Sequence, residues 1–512
     1  MKAANIKYLI LFGLVLAVGG VLSMRSVNTN RTLRVAFPVK LKATAYEPTN
    51  INLDYEYIFL ENVFSPLVEI SKDGSIEPGV AEKVDWEGDE LKLTIRKNLK
   101  TISGSPITAN DVVFSLKRLL VLSGNTHGNF KDIVCPGVEL KNVEDPCPGI
   151  RQDEGHVFLN AKGRKSFLLP MLGAIDFAII PKSSVDPKTL KIVNYAEASG
   201  PYALSQDDGN GNITLKLNTN HYFATSEVPE EIVLVPTDTA TKGSSLVALK
   251  EGRVDHLTTV DASKADELIK FSAKNSDFES HVTMKIRSLF IVFTERGQKE
   301  LSAGERRFIG EKMRIAFSKI YADIPGFEQR AEFFPSLGEG GLTNKQQERL
   351  AKVRNQDLTS PKKHFKLGII KRGAIDEWIN PIAKELPEAD CYHETNVPDF
   401  KKYEKDEDVP HAWVATTDTG FMEDISLISY SLNAGLLGLT KSERSKWLAD
   451  YMATDDKALR IHKLKELHFH ALAEPAIVPL VASPYAALVR KPWKIELSEL
   501  YANNQLWRIK LR

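Results

Sequence analysis

Period-two alternation opens the folded part of the chain. In "TLRVAF", Leu33, Val35 and Phe37 fall on one side and Arg34 and Ala36 on the other, which predicts a strand. The pattern recurs in "LKLTIR" through Leu91, Leu93 and Ile95, and in "NGNITLKLN" through Ile213, Leu215 and Leu217. Short apolar runs stopped by proline, "AIDFAIIP" and "EIVLVP", predict buried strands. "RSLFIVFTE" and "HFKLGII" read the same way. Helical spacing appears in "TANDVVFSLKRLL": Val112, Leu116 and Leu119 or Leu120 recur on one face while Lys117 and Arg118 point away, and Thr108 with Asp111 is placed to cap the first turn. Helices are also predicted within "IFLENVFSPLVEI" up to Pro66, in "SLVALKEG" up to Gly252, and over "ERRFIGEKMRIAFSKI". "LTNKQQERLAKVRNQDLTSPKK" reads as a solvated helix and linker, and "DDKALRIHKLKELHFHALAEPAIVPLV" as a long helix followed by a strand. The result is a mixed α/β chain without an internal repeat.

Composition sets the scale. With 512 residues, 43% of them hydrophobic, the chain exceeds one core, so two or three domains are expected. Basic and acidic residues balance at 67 each, which removes the positive excess a nucleic-acid binder would carry. At the N-terminus, Lys2 and Lys7 precede an apolar run from Leu9 to Leu22, so residues 1–23 read as a secretory signal peptide. The alternative is an uncleaved anchor holding the protein to the membrane. Either way the body of the chain is expected outside the cytoplasm.

Export permits disulfides. Cys135 and Cys147 bracket "CPGVELKNVEDPC", a loop-like stretch that a bridge would close; two unpaired buried thiols are the alternative. Cys391 is then left over as a small core residue. Candidate catalytic chemistry is sparse. There is no GxSxG, HExxH or phosphate loop, and Ser360 with Lys363 is an isolated SxxK inside a basic linker. "DCYHE" sets Cys391 two residues from His393, and "HFH" pairs His468 with His470, but neither comes with the third group a catalytic or metal site would need. No enzymatic activity, cofactor or metal is expected.

The order of elements resembles a known family. The run from "NVFSPLVEI" through "SKDGSIEPGVAEKVDWEGDELKLTIRKNLKTISGSPITANDVVFSLKRLL" is similar to the first third of the large solute-binding proteins of ABC importers, the oligopeptide, dipeptide and nickel-binding family. The matching positions are Leu67, Val68, Asp73, Gly74, Pro78, Ala81, Glu82, Arg96, Gly104, Pro106, Thr108, Ala109, Asp111, Val112 and Ser115. Further on, "SGPYAL", "LKLNTNHYF", "LVALKEGRVDHL", "KMRIAFSKI" and "EPAIVPLVASPYAALVRKPW" resemble later segments of the family in the same order.

The resemblance implies an α/β fold of two lobes, each a mixed sheet flanked by helices, with an extra subdomain in the first lobe. The implied parts are residues 32–45 and 176–284 of lobe I, its extra subdomain at 46–175, lobe II at 285–481, and a closing segment of lobe I at 482–512. The chain would cross between the lobes near Thr283–Phe290 and Leu480–Ala486, and a small solute or oligopeptide would be held between them. A permease in the inner membrane would be the partner, with the protein a periplasmic monomer; a membrane-anchored sensor on the same scaffold is the alternative. Ligand contacts would come from a loop carrying Trp413, Thr416 and Asp418, opposite Tyr46. Many peptide binders carry an aspartate for the ligand's amino terminus where this chain has Thr416, the nearest acid being Asp418.

Overall fold

In the computed structural model the described residues are 31–37, 40, 46–51, 54–122, 128–161, 165–237, 245–258, 265–284, 286–322, 327–334, 340–370, 376–394, 408–418, 432, 437–454, 456–499 and 504–512. The proposed signal segment, residues 1–23, lies outside them.

Two large mixed sheets organise these residues into two lobes. The first has seven strands in the order Phe278–Val282, Ala486–Arg490, His256–Thr258, Thr32–Phe37, Glu231–Pro236, Ile213–Leu217, Tyr202–Asp207. Thr32–Phe37 lies parallel to both neighbours near the middle of this sheet, which is why Leu33, Val35 and Phe37 are all buried. The second has six strands in the order Glu328–Gln329, Ile477–Ser483, Arg287–Phe293, Ala412–Asp418, Phe365–Ile369, Ala389–His393. Every residue of Arg287–Phe293 is buried, since it pairs on both sides and is covered on both faces. Leu289, Ile291 and Phe293 join one apolar cluster, Phe290 and Val292 another, as the two-residue period demands. Pro479 sits where the register with this strand shifts, the one kind of interior position at which a residue without an N–H does little harm.

A third sheet of four antiparallel strands, Ala81–Glu87, Glu90–Ile95, His156–Asn160 and Ile150–Asp153, packs under the helix Ala109–Leu122. That helix begins as the sequence predicts, with the roles altered. The Asp111 carboxylate accepts both the N–H and the hydroxyl of Thr108, each at 2.9 Å, and its other oxygen accepts the Lys182 N–H at 3.0 Å. Asp111 therefore ties the helix start to a distant segment. Cys135 and Cys147 are joined by a disulfide, with Cα atoms 5.1 Å apart, at the margin of this sheet.

One predicted strand is not there. "AIDFAIIP" forms a 3-10 turn at Ile175–Phe177 and then runs extended without a strand partner. Its polar backbone is satisfied otherwise: Ile179 N–H donates to the Ser65 carbonyl at 2.9 Å, and Ile180 N–H donates to Ser115 Oγ at 2.8 Å. An apolar run bounded by proline signals burial, not pairing, and here the buried N–H groups are met by a carbonyl and a hydroxyl of distant segments.

Candidate hinged binding cleft

The two lobes are linked by two short connections. The chain leaves the first sheet at Val282 and enters the second at Arg287; it returns from Ser483 to Ala486. The connections are bonded to each other. Thr283 N–H donates to the Tyr485 carbonyl at 2.9 Å, and Tyr485 N–H donates to Thr283 Oγ1 at 2.8 Å. The Thr283 hydroxyl in turn donates to its neighbour's carbonyl, Met284 O, at 2.8 Å. A pair of adjacent segments a few residues long can change backbone angles while each sheet stays intact, which is the geometry of a hinge.

At the second-lobe side of this hinge, strand register sets Arg287 opposite Asp418 on one neighbour and opposite Ser483 on the other. Arg287 is buried, with its guanidinium 6.0 Å from the centre of the Tyr485 ring. Asp418 thus stands on the strand end nearest the crossing. Thr416, two residues back and opposite Leu289, is exposed.

Trp413 and Tyr46 occupy different surroundings from those two. The sequence suggests a loop around Trp413, whereas the structure puts residues 412–418 in a strand between Arg287–Phe293 and Phe365–Ile369. Trp413 is 1% exposed and shares an apolar cluster with Phe290, Val292 and Phe333. Its ring lies over Gly368, where an added Cβ would come within 2.6 Å of it. Tyr46 is likewise buried, its ring 5.7 Å from that of Phe59 in the first-lobe core. The residue after it, Glu47, receives both guanidinium nitrogens of Arg118, at 3.0 and 2.6 Å, while Arg118 Nε donates to the Leu190 carbonyl at 2.7 Å. The structure does not bring Tyr46 and Trp413 into one contact cluster.

The other reactive-looking residues resolve into structural roles. Cys391 is half-buried in the strand Ala389–His393, and burial pushes its thiol up to about 11, the opposite of an activated nucleophile. His468 is fully enclosed: its Nε2 accepts the Phe333 N–H at 3.0 Å and its Nδ1 faces the Gly340 carbonyl at 2.9 Å, which fixes a neutral ring protonated on Nδ1. Burial lowers its pKa to about 3. Among the described residues there is no group of three or more His, Cys, Asp or Glu arranged to hold a metal. No described helix is long and apolar enough to cross a membrane. The hinge contacts at Thr283 and Tyr485 escaped sequence reasoning at the residue level; the only signal was the pairing of two chain segments about 200 positions apart.

Residues 75–315 match the profile of bacterial extracellular solute-binding proteins, family 5 Middle. The dipeptide-binding protein of Lactococcus lactis subsp. cremoris is 22% identical over 353 residues, 63% of this chain and 61% of that protein. Alignments with other curated relatives, such as the periplasmic oligopeptide-binding protein OppA of Salmonella typhimurium, span about a third of their length. Among solved structures, Haemophilus influenzae OppA in complex with the peptide RPPGFSPFR superposes with a TM-score of 0.70 at 15% identity, over 94% of this chain and 99% of that one. Staphylococcus aureus NikA in complex with Ni(L-His)2 superposes with a TM-score of 0.66 at 14% identity, over 94% and 100%.

Proposed function

We propose that this chain is a family 5 extracellular solute-binding protein, which captures a peptide-like or other small solute between its two lobes outside the cytoplasm and delivers it to the permease of an ABC importer. The observation that carries this reading is the double connection between the sheets, two adjacent segments stapled by Thr283 and Tyr485. A solute touching both lobes binds the closed arrangement better than the open one, and that difference in affinity moves the equilibrium. The permease then reads a closed shape, so the protein needs binding geometry and no reacting group.

The ligand wall on the second lobe is assigned to the crossing end of the strand Ala412–Asp418, with Thr416 and Asp418 in contact and Trp413 fixing the strand from behind. Tyr46 plays the corresponding part in the first lobe, holding Glu47 and its neighbours in place. A hydroxyl at Thr416 favours a solute that does not need a carboxylate there for a free amine; otherwise Asp418 supplies the charge. Residues 1–23 are read as the export signal, cleaved or retained as a tether.

Native mass spectrometry of the purified protein, followed by calorimetry with the identified solute, tests this. A co-purifying solute whose affinity falls in Thr416→Ala or Asp418→Asn is the expected result. Wild-type affinity in both, in folded protein, would move the pocket elsewhere; failure of tripeptides, nickel–histidine complexes and any co-purifying solute to bind would remove the capture role itself.

A further inference from the structure

The chain beyond the second connection folds back beside the hinge. Trp493–Ile495 pairs antiparallel with Ile509–Leu511. Just before the second of these strands, Leu506 and Trp507 are buried, the indole stacked on Phe223 of the first-lobe core with ring centres 3.7 Å apart. Two stretches of this chain, residues 493–499 and 504–512, reach both connections between the lobes. In the first connection, Met284 N–H donates to the Glu499 carbonyl at 2.7 Å. In the second, the Tyr485 hydroxyl donates to Asn504 Oδ1 at 3.1 Å. His281, on the strand that leads into the first connection, donates from Nε2 to the Ser498 carbonyl at 2.8 Å.

The same stretches are fixed to the first lobe. Asn62, fully buried in the helix Asp54–Val63, donates from Nδ2 to the Asn504 carbonyl and accepts the Leu506 N–H, each at 2.7 Å. Its neighbour Glu61 accepts the Asn504 N–H at 2.8 Å. Ser498 Oγ donates to the Lys72 carbonyl at 2.7 Å, and Arg508 donates to the Ile70 carbonyl at 3.1 Å. Asn504 thus gives both backbone groups to the helix and its side chain to Tyr485. Tyr485 in turn commits its backbone to Thr283 and its hydroxyl to Asn504. Bonds that hold the first-lobe side of both connections leave rotation to the few residues between there and the second sheet.

We propose that residues 493–499 and 504–512 act as a brace that clamps the first-lobe side of both connections, with the Tyr485–Asn504 bond setting how freely the lobes rotate. The brace is anchored in one lobe while the connections are shared, so a change of hinge angle has to be accommodated at Met284 and Tyr485 or beyond them. A brace that favours one angle restricts the unliganded protein to fewer arrangements. A solute that needs another angle then gives up part of its binding free energy to reach it. Affinity is in this way set partly by contacts within the protein. That consequence rests on the capture reading. The brace itself does not, and its measurement needs no solute, so either can fail without the other.

Tyr485→Phe and Asn504→Ala each delete the bond from one end while leaving the backbone bonds of both residues in place. Interlobe distances in the unliganded protein are read by electron–electron double resonance between spin labels on Lys216→Cys and Lys384→Cys, exposed positions on the two lobes, with Cys391→Ser as background. Each variant is expected to widen the distance distribution. Hydrogen exchange should show the Met284 and Tyr485 amides opening about fivefold more readily, the net worth of one neutral hydrogen bond. The double variant should go no further than either single one, because both remove the same bond. A distribution as narrow as the parent's in both variants would overturn the brace. So would additive effects in the double variant, or equal acceleration in the strands Thr32–Phe37 and Arg287–Phe293, which would mean a loss of overall stability instead.

Discussion

Buried ionisable side chains dominate at the residue scale. His221, His256 and His468 are enclosed, and burial lowers their pKa values to about 3, 4 and 3. Each takes up a proton on unfolding at any pH between its folded value and the ordinary histidine value of about 6.5, so stability is lost as pH falls through that window. Glu61 and Glu69 run the other way. Burial raises them to about 8 and 7, so the stability their neutral form contributes is present at low pH and lost as pH rises toward those values. A thermal midpoint that peaks at about pH 6.5 and falls on both sides is the expected profile, and Glu61→Gln should flatten its alkaline side. A monotonic profile across pH 4 to 9 would contradict this assignment. Arg118 carries a further expectation. It is 1% exposed, and its two bonds to Glu47 hold the segment after Tyr46. Arg118→Ala, by stranding a partly buried carboxylate, should cost about 3 kcal/mol in urea unfolding.

Elements are held together here by a few long-range staples. The Cys135–Cys147 bridge closes a short loop, sequence separation 12, beside the four-stranded sheet. Thiol titration of denatured, unreduced protein should find one free cysteine, Cys391, and reduction should destabilise this subdomain by about 3 kcal/mol on the chain-entropy account. Three free thiols would remove the bridge. The hinge staple is the other case. Thr283→Val keeps the shape of the side chain but deletes the acceptor of the Tyr485 N–H and the donor to Met284. The expected effect is a looser hinge, seen as faster amide exchange at Thr283, Met284 and Tyr485, with the cores of both sheets unchanged.

For the whole molecule, the question is how two rigid sheets move. Each lobe has its own apolar core, with Leu33, Phe37 and Ile232 in one and Ile291, Phe293 and Leu367 in the other. Closure that leaves both intact has to be absorbed at the connections. Small-angle scattering should therefore show a smaller radius of gyration with the bound solute than without it, and an unchanged radius with a bound solute would remove the clamshell account.

What the sequence determined by itself was the set of elements and their order. Alternation in "TLRVAF" and "LKLTIR" and helical spacing around Val112, Leu116 and Leu119 are local signals, because the strand and helix periods act over a few residues. The ordered resemblance extended this to two lobes with an extra subdomain. Tertiary structure decided the rest. Ala174–Pro181 is apolar enough for a strand, yet Ser65 and Ser115, far away in the chain, took its backbone groups. Trp413 reads as a loop residue from its resemblance, yet pairing on both sides made it strand and core over Gly368. Thr283 and Tyr485 are ordinary in sequence and meet only because the two connections between the sheets lie side by side. Such contacts depend on which distant segments share a surface, and no period along the chain records that.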